Sequence, residues 1–486
     1  MSDHTHVRGH AVSGAKWIGL STLTTSAFQY LQVAMLTRFL LPSDFGLMAM
    51  AMVVIGVAQA FTDMGVSNAV IQRRETASDQ LSTLYWLEIL AGLALFGLMV
   101  LLTPYVVQFY GEPRLTSVMV LASAVFLVTP PGQLFQILFQ KELQFKVMAM
   151  VEISSSFLSM TATIALAFFG FGVMALVIGQ IAFYGLRSMA YLTLGWPRWK
   201  PRLHFRISDL KGYLGFGMYQ VGERIVTYLS INVINLIIGR YLGAHALGNY
   251  SIAYQMIIYP ILRLNTVIMN VSFPIFSKYQ DIDNLLQNGY LHLTRFLSFT
   301  TFPVLVMVAV TAPVFIPIFL GPGWEEVIPL VQILSLVGIF RSLGSTTVPT
   351  YLAKGRADIG FTWNFILAVV NAIVFYIMTG YGLIPLVLAF AAISLFQFVA
   401  LQTITGKMIG LTWRTYLNEL TFDSVVSIVI GATALSSYLA GAWLNLSPMY
   451  LLVSMLLVSI AVYVLLLVTF RREYLRELKD ILMPGS

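Results

Sequence analysis

Apolar stretches of about twenty residues recur along the whole chain and are separated by short polar connections. A helix of about twenty apolar residues is long enough to cross the hydrocarbon core of a bilayer. The pattern predicts an all-α polytopic membrane protein with about fourteen transmembrane helices. Their approximate spans are 14–40, 45–69, 80–109, 115–139, 147–169, 171–195, 210–240, 246–275, 289–320, 326–352, 358–379, 382–407, 421–443 and 447–470.

Composition agrees with a membrane protein. Of the 486 residues, 58% are hydrophobic and only 10% are charged, whereas a soluble domain carries about 25% charged residues. The first dozen residues are polar and lack the apolar region and cleavage motif of a signal peptide, so the first helix is expected to be retained. The absence of Cys excludes disulfides and thiol chemistry.

Positive charge is concentrated in alternate connections. If the N-terminus is cytoplasmic, nearly all Lys and Arg residues of the connections lie on the cytoplasmic side, as is typical of membrane proteins. This bias explains the net charge of +7 without nucleic acid and places both termini in the cytoplasm. The longest connection, GWPRWKPRLHFRISD at 195–209, is basic and is the best candidate for a linker between lobes.

Two segments about two hundred residues apart share a pattern. Arg38 lies eight residues before Gly46, and Arg240 lies eight residues before Gly248. Further matches follow in the same order, among them QFYG at 108–111 with IFLG at 318–321, and GFGVMALV at 170–177 with GYGLIPLV at 380–387. The series predicts a duplicated six-helix unit plus two extra helices. Because six is even, the two copies have parallel orientation.

The repeat predicts three regions. Residues 1–207 form a first lobe of six helices, residues 208–410 form a second lobe, and residues 411–486 hold helices thirteen and fourteen with a cytoplasmic tail. Helices thirteen and fourteen are predicted to offer no polar group to a central cavity. They are expected to pack at the periphery, after an amphipathic segment at 411–422.

Arg38 and Arg240 follow the first helix of each half, where a cation interacts favourably with the helix dipole. This structural role is favoured over a direct role in substrate binding. Gly46 and Gly248 are expected to allow tight turns. The pair Pro130 and Pro131 interrupts the fourth helix, either as a packing kink or as a bend used in alternating access.

Charged side chains inside membrane helices are costly, so they are functional candidates. Five arginines at mid-membrane to cytoplasmic depth predict a water-filled cationic cavity that binds phosphate through the guanidinium fork. Those favoured for substrate are Arg224, Arg263 and Arg341, whereas Arg187 and Arg295 have the alternative of reaching the membrane surface. The acidic candidates are Asp63, Glu88, Glu152 and Glu223, as partners of the arginines or as sites for a coupling cation.

Catalytic and metal-binding constellations are absent from the sequence. The one close group of histidines lies in the polar N-terminal tail, and no phosphate-binding G-x-x-x-x-G-K-[ST] motif occurs. We therefore expect a secondary transporter and not an enzyme. No cofactor is expected, and a coupling Na⁺ or H⁺ is left open.

Residues 37–74, TRFLLPSDFGLMAMAMVVIGVAQAFTDMGVSNAVIQRR, resemble the first two helices of bacterial polysaccharide exporters. Residues 253–280, AYQMIIYPILRLNTVIMNVSFPIFSKYQ, are similar to the eighth helix of the colanic-acid and teichuronic-acid branch. These exporters are flippases of the multidrug/oligosaccharidyl-lipid/polysaccharide (MOP) superfamily. Gln255 is a departure, because the peptidoglycan-precursor flippases of the superfamily tend to have Arg there.

The resemblance implies two six-helix lobes around a central cationic cavity and an alternating-access mechanism. It implies that polyprenyl-pyrophosphate-linked oligosaccharide moves from the cytoplasmic to the periplasmic leaflet of the bacterial inner membrane, for exopolysaccharide, capsule or O-antigen-type synthesis. Gln255 is included among the substrate-binding candidates. A polysaccharide polymerase and glycosyltransferases are possible partners. Nucleic acid is not expected as a partner.

Two other functions are kept as alternatives. A cation-coupled multidrug antiporter shares the superfamily fold, but the extra helix pair and the arginines within the helices argue against it. A membrane glycosyltransferase or polymerase would need acidic residues on large outward loops, and the predicted outward loops are short.

Overall fold

The computed structural model describes residues 2–62, 70–71, 77–210 and 214–470, with side chains except those of 2–13, 15, 214–224, 226, 267, 357 and 361. Six helical segments make up the first half. They are α1 (Ser2–Leu36), α2 (Pro42–Thr62), α3 (Ser78–Tyr110), a broken α4 (Leu115–Ser123, Val125–Val128 and Pro130–Lys141), α5 (Phe145–Phe168) and α6 (Val173–Gly195).

The second half begins with a helical stretch, Leu214–Lys278, that is interrupted at Gly243, where φ is 83° and ψ is 179°. The parts before and after this break are α7 and α8. The remaining helices are α9 (Asp283–Phe319), α10 (Val327–Gly344, continued by Thr347–Ala353), α11 (Ala357–Met378), α12 (Leu383–Met408), α13 (Trp413–Trp443) and α14 (Pro448–Phe470).

The predicted all-α membrane class is confirmed. Among the described residues, eleven helices are long and apolar enough to cross a membrane, or twelve if the bent α4 is counted as one span. One of the eleven, Thr227–Lys278, contains the Gly243 break and so covers two predicted spans. The predicted number of fourteen is therefore approximate.

Helix α13 differs from the prediction in its length and its polarity. It begins at Trp413 instead of residue 421, because the side chain of Thr412 caps it by accepting a hydrogen bond from the Thr415 backbone N–H. The amphipathic segment is thus part of the helix. The expectation that the last two helices offer nothing polar is wrong, since α13 carries Glu419 and a buried Asp423.

The chain divides into two compact units, with the division between Gly248 and Asn249. In the first unit α1 packs against α5, α5 against α6, and α4 against α3 and α6. In the second unit α9 packs against α10, α13 and α14, while α12 packs against α10 and α11. The two extra helices are thus attached to α9. The lobe boundary at residue 208 stays a prediction from the sequence repeat.

The duplication recurs in the backbone at matching helix ends. Positive φ angles occur in pairs that are 210 to 212 residues apart: Gly111 at 67° with Gly321 at 92°, Leu143 at 56° with Gly355 at 71°, and Gly172 at 56° with Gly382 at 99°. Each pair lies at the corresponding end of α3 and α9, of α4 and α10, or of α6 and α12. The two halves therefore share local geometry as well as sequence.

Gly46 and Gly248 allow close packing and not the tight turns that were predicted for them. Both lie within helices, and the turn between α7 and α8 is made at Gly243. A Cβ atom added to Gly46 would lie 1.8 Å from the carbonyl oxygen of Ala244. A Cβ atom added to Gly248 would lie 1.7 Å from the carbonyl oxygen of Pro42. The two repeats thus touch backbone to backbone through equivalent positions.

The Pro130 and Pro131 pair bends α4 by 47°. Proline has no N–H, so the carbonyls of Phe126 and Leu127 lose their donors four residues on. Helix α6 contacts the bend. The Ser188 hydroxyl of α6 donates to the Thr129 carbonyl at 3.2 Å.

The basic linker is a strap that folds back onto the start of α3; we define it as residues 196–210. The Trp86 indole N–H donates to the Arg202 carbonyl at 2.8 Å, and the Arg202 N–H donates to the Ser82 hydroxyl at 3.1 Å. The Thr83 hydroxyl donates to Asp209 at 3.0 Å. All three partners lie on α3, more than one hundred residues away in sequence. The strap therefore packs within the first unit.

We expect Gly46→Ala to lower the stability of the folded protein by about 1–3 kcal/mol, because the added methyl group forces two backbones apart. Gly248→Ala should act in the same way. The measurement is the thermal midpoint in detergent together with abundance in membranes. Gly97→Ala is the matched control, since no atom lies within 4 Å of a Cβ built there. Equal stability of all three variants would contradict the close-packing role.

We expect attachment of the strap to weaken at acid pH. A hydrogen bond from His204, joined by one from Thr83, holds the pKa of Asp209 below its ordinary value. The stabilisation is therefore fully present above the ordinary Asp pKa of about 3.9 and is lost as pH falls through the lower folded-state pKa. Hydrogen exchange of the strap amides, corrected for intrinsic rates, should show this loss. Asp209→Asn should exchange faster at neutral pH and show no further acid step; an unchanged acid step in this variant would exclude Asp209 as its source.

Candidate functional site

Arg341 lies near the end of the first segment of α10, among aromatic side chains of α8 and α12. Its guanidinium donates to the Tyr254 hydroxyl at 3.2 Å and lies 5.2 Å from the centre of the Phe390 ring. The Tyr254 ring in turn contacts Tyr250 and Tyr259, with centroids 5.6 and 5.8 Å apart. We call these five residues the Arg341 cluster. All the described partners of the Arg341 guanidinium are neutral, so its charge is available to an anion.

Arg187 has an acidic partner. It lies on α6 and forms an ion pair with Glu152 of α5 at 3.6 Å, and its guanidinium lies 5.6 and 5.5 Å from the rings of Phe183 and Tyr184. Both charged side chains are partly exposed. This arrangement joins two neighbouring helices of the first unit and neutralises the arginine.

Arg295 is also paired with a carboxylate. Its Nε donates to Glu419 at 2.7 Å and a second guanidinium N–H donates to the same carboxylate, which links α9 to α13. One turn further along α13, Asp423 accepts a hydrogen bond from Ser298 of α9. Glu419 and Asp423 were not among the residues predicted from the sequence. The signal was available, since Asp423 is an acid inside an apolar helix.

The structure describes the remaining predicted site residues to different extents. Glu88 of α3 is only 1% exposed, Gln255 of α8 is half-buried and Arg263 of α8 is exposed. Glu223 and Arg224 lie on α7, but their side chains are outside the described set, and Asp63 is outside the described residues. The structure therefore leaves the predicted roles of these six residues as predictions.

Arg38 and Arg240 are both exposed next to the Gly46–Gly248 contact. The Arg240 guanidinium lies 5.6 Å from the Phe109 ring and 6.0 Å from the Tyr241 ring. Arg240 therefore connects the end of α7 to the end of α3. The predicted structural role of both arginines at helix ends stays a prediction.

Comparison with known proteins gives a family. A model described as "Polysaccharide biosynthesis protein" matches residues 35–329. The teichuronic acid biosynthesis protein TuaB of Bacillus subtilis (strain 168) is 31% identical over 424 residues, which are 87% of this chain and 88% of TuaB. This chain belongs to the polysaccharide biosynthesis protein family.

Other relatives of this family member carry related names. The lipopolysaccharide biosynthesis protein WzxC of Escherichia coli (strain K12) is 32% identical over 358 residues, 74% of this chain and 73% of WzxC. The succinoglycan biosynthesis transport protein ExoT of Rhizobium meliloti (strain 1021) is 23% identical over 445 residues, 91% of this chain and 84% of ExoT. The predicted resemblance to bacterial polysaccharide exporters is confirmed.

Solved structures give the fold of this polysaccharide biosynthesis protein. The lipid II flippase MurJ in an inward closed conformation matches with a TM-score of 0.71 at 15% identity, over 94% of this chain and 99% of MurJ. An inward-facing multidrug resistance transporter of the MATE family, in the MOP superfamily, matches with a TM-score of 0.58 at 14% identity, over 79% of this chain and 95% of that one. The likeness shows that this chain has the fold that these two transporters share.

The Arg295–Glu419 contact allows its structural and substrate-binding roles to be separated. If the pair only joins α9 to α13, Arg295→Gln and Glu419→Gln should destabilise the protein to a similar extent, with a coupling energy of about 1 kcal/mol in a double-mutant cycle. Thermal stability and polysaccharide export, each normalised to membrane abundance, are the measurements. A loss of export confined to the Arg295 variant, with the coupling energy near zero, would assign Arg295 to substrate.

Proposed function

We propose that this protein is a flippase that moves polyprenyl-pyrophosphate-linked oligosaccharide repeat units from the cytoplasmic to the periplasmic leaflet of the bacterial inner membrane. The observation that carries the proposal is the Arg341 cluster. In this cluster a guanidinium is held by a hydroxyl and a ring face in place of a carboxylate. Within the described part of the chain, Arg187 and Arg295 do have carboxylate partners, so Arg341 differs from them in kind.

The chemistry of the Arg341 cluster suits a phosphorylated sugar. A guanidinium binds phosphate oxygens with two parallel hydrogen bonds, and it keeps its charge at any physiological pH. Aromatic faces such as that of Phe390 provide flat apolar surface, while the hydroxyls of Tyr254 and Tyr259 offer hydrogen bonds to sugar oxygens. Arg224 and Arg263 are proposed as further contacts with the same anionic substrate, and Gln255 as a polar one.

Orientation is part of the proposal. Connections on one side of the predicted helices carry most of the Lys and Arg residues, which supports a cytoplasmic location of both termini. The substrate then enters from the side on which it is synthesised. A polysaccharide polymerase and glycosyltransferases are proposed partners, because the first would consume the flipped repeat unit and the second would supply it.

We expect Arg341→Ala to lower polysaccharide export about tenfold or more, since a charge-assisted hydrogen bond contributes roughly 1.5–3 kcal/mol. Arg341→Lys should restore export only in part, because an ammonium lacks the planar fork. Tyr254→Phe should have a smaller effect. Export is measured by complementation of a deletion strain, with membrane abundance determined for every variant.

The matched control is Arg356→Ala, which removes an exposed arginine that pairs with Asp358 beside the start of α11. This variant should export normally. Normal export by Arg341→Ala, Arg224→Ala and Arg263→Ala would contradict the proposal that these arginines bind the anionic headgroup. Export lost only in proportion to abundance would assign them to folding.

A further inference from the structure

The strap, residues 196–210, exposes large apolar side chains that the first unit does not cover. Leu203 is 94% exposed, Ile207 is 79% exposed and Phe205 is 45% exposed. Trp199 differs from them, since it packs into the first unit with its ring centroid 5.5 Å from that of Phe135 on α4. The strap is therefore anchored through one part of its surface, and it leaves a second, apolar part exposed.

The same segment carries positive charge that is not matched within the first unit. Three of its side chains are engaged by carboxylates: Arg198 by Glu142 at 2.9 Å, Arg202 by Asp79 at 3.3 Å, and His204 by Asp209 at 2.9 Å. Lys200 and Arg206 are exposed and form no ion pair with the described residues. Arg206 attracts Asp209, but without ion-pair contact. Two cations of the strap are therefore accessible to an anion from outside the protein.

The strap lies at the level where the hydrocarbon core of a bilayer ends. It follows directly after α6, which has 23 residues and is therefore about 35 Å long, close to the core thickness of about 30 Å. Its hydrogen bonds go to the first three turns of α3, a helix of 33 residues that is longer than the core is thick. The strap is thus beside the headgroups of one leaflet, whichever leaflet faces the cytoplasm.

This combination of groups suits an anionic phospholipid. Apolar side chains at a bilayer surface gain free energy by leaving water for the acyl chains, and basic side chains there are attracted to negatively charged headgroups. A soluble protein partner would have to bring both apolar surface and negative charge to a site that lies against the membrane. An anionic phospholipid carries both in one molecule, and the bilayer already holds it at the right level.

We propose that the exposed surface of the strap is a binding site for anionic phospholipid. Lys200 and Arg206 bind the headgroup phosphate, the first as a point charge and the second through its guanidinium fork. Leu203, Phe205 and Ile207 insert among the acyl chains. Since hydrogen bonds attach the strap to α3, a bound lipid joins the first unit to the surrounding bilayer surface. Lipid binding at this site does not depend on the flippase activity proposed above.

The chain contains no Cys, so one probe can be attached to the strap alone. Leu203→Cys is labelled with a fluorophore, and the purified full-length protein is placed in nanodiscs. Quenching by phosphatidylglycerol with a nitroxide on its acyl chain is compared with quenching by phosphatidylcholine with the same nitroxide. The ratio reports how strongly anionic lipid is enriched beside the strap. We expect enrichment of about fivefold or more at low salt, and a smaller ratio at high salt, which screens the attraction.

Charge variants are made in the labelled protein. Lys200→Gln combined with Arg206→Gln should bring the quenching ratio close to one. The matched control combines Lys407→Gln with Arg414→Gln, which removes the same charge from exposed residues beside the connection between α12 and α13. The control should keep the enrichment. Lys200→Arg combined with Arg206→Lys should keep most of it as well, because the attraction depends on charge.

Three results would overturn the proposal. The first is equal quenching by the two lipids when the strap keeps both cations, and the second is enrichment that survives the loss of Lys200 and Arg206. The third is the absence of quenching by either lipid, which would assign the strap to water or to a protein partner. The thermal midpoint of each variant checks its fold. If the double variant does not fold, Lys200→Gln and Arg206→Gln are measured singly, and each should lower the enrichment.

Discussion

The hydrocarbon interior of a bilayer offers no hydrogen-bonding partners, so polar groups inside this bundle depend on partners within the protein. Serine and threonine hydroxyls donate to carbonyls of their own helix, as Thr103 does to Met99 and Thr163 does to Ser159. Charges are matched between helices, as in Arg187 with Glu152 and Arg295 with Glu419. These ion pairs therefore also act as links between helices, because each one joins side chains of two different helices.

This constraint separates structural charges from those available to a ligand. A carboxylate partner offsets the charge of an arginine and weakens its attraction for an anion, whereas Tyr254 and Phe390 are neutral and do not offset the charge of Arg341. The cost of placing a charge at a helix centre is about 2.5–3.5 kcal/mol on insertion scales. A chain that retains such a charge without an opposing one gains a means of selecting anionic substrates.

Hydropathy predicted the class and most helix positions, because spans of about twenty apolar residues are a direct consequence of bilayer thickness. The duplication was predicted from sequence matches that recur in the same order about two hundred residues apart. The start of α13 was missed since its first two turns are amphipathic, and only the Thr412 cap shows that they are helical. The pairing of Arg295 with Glu419 also could not be predicted from the sequence. A spacing of 124 residues has no periodicity that would bring the two side chains together. Gly46 and Gly248 were predicted to allow turns. A glycine needed for its conformational freedom and one needed for its small size look the same in a sequence, and only the position of the neighbouring backbone distinguishes them.

The contact at Gly46 and Gly248 has the reciprocity of a homodimer interface. Position 46 meets residue 244, and position 248 meets residue 42, so each repeat presents to the other the surface that it receives. Identical subunits associate through two-fold contacts of this kind. Two separate half-length chains would form it at a rate that depends on their concentration. In the duplicated gene product the second partner is tethered, so the effective concentration is fixed by the connecting chain. The two sides need not match each other in sequence, and the equivalent positions 42 and 244 hold Pro42 and Ala244.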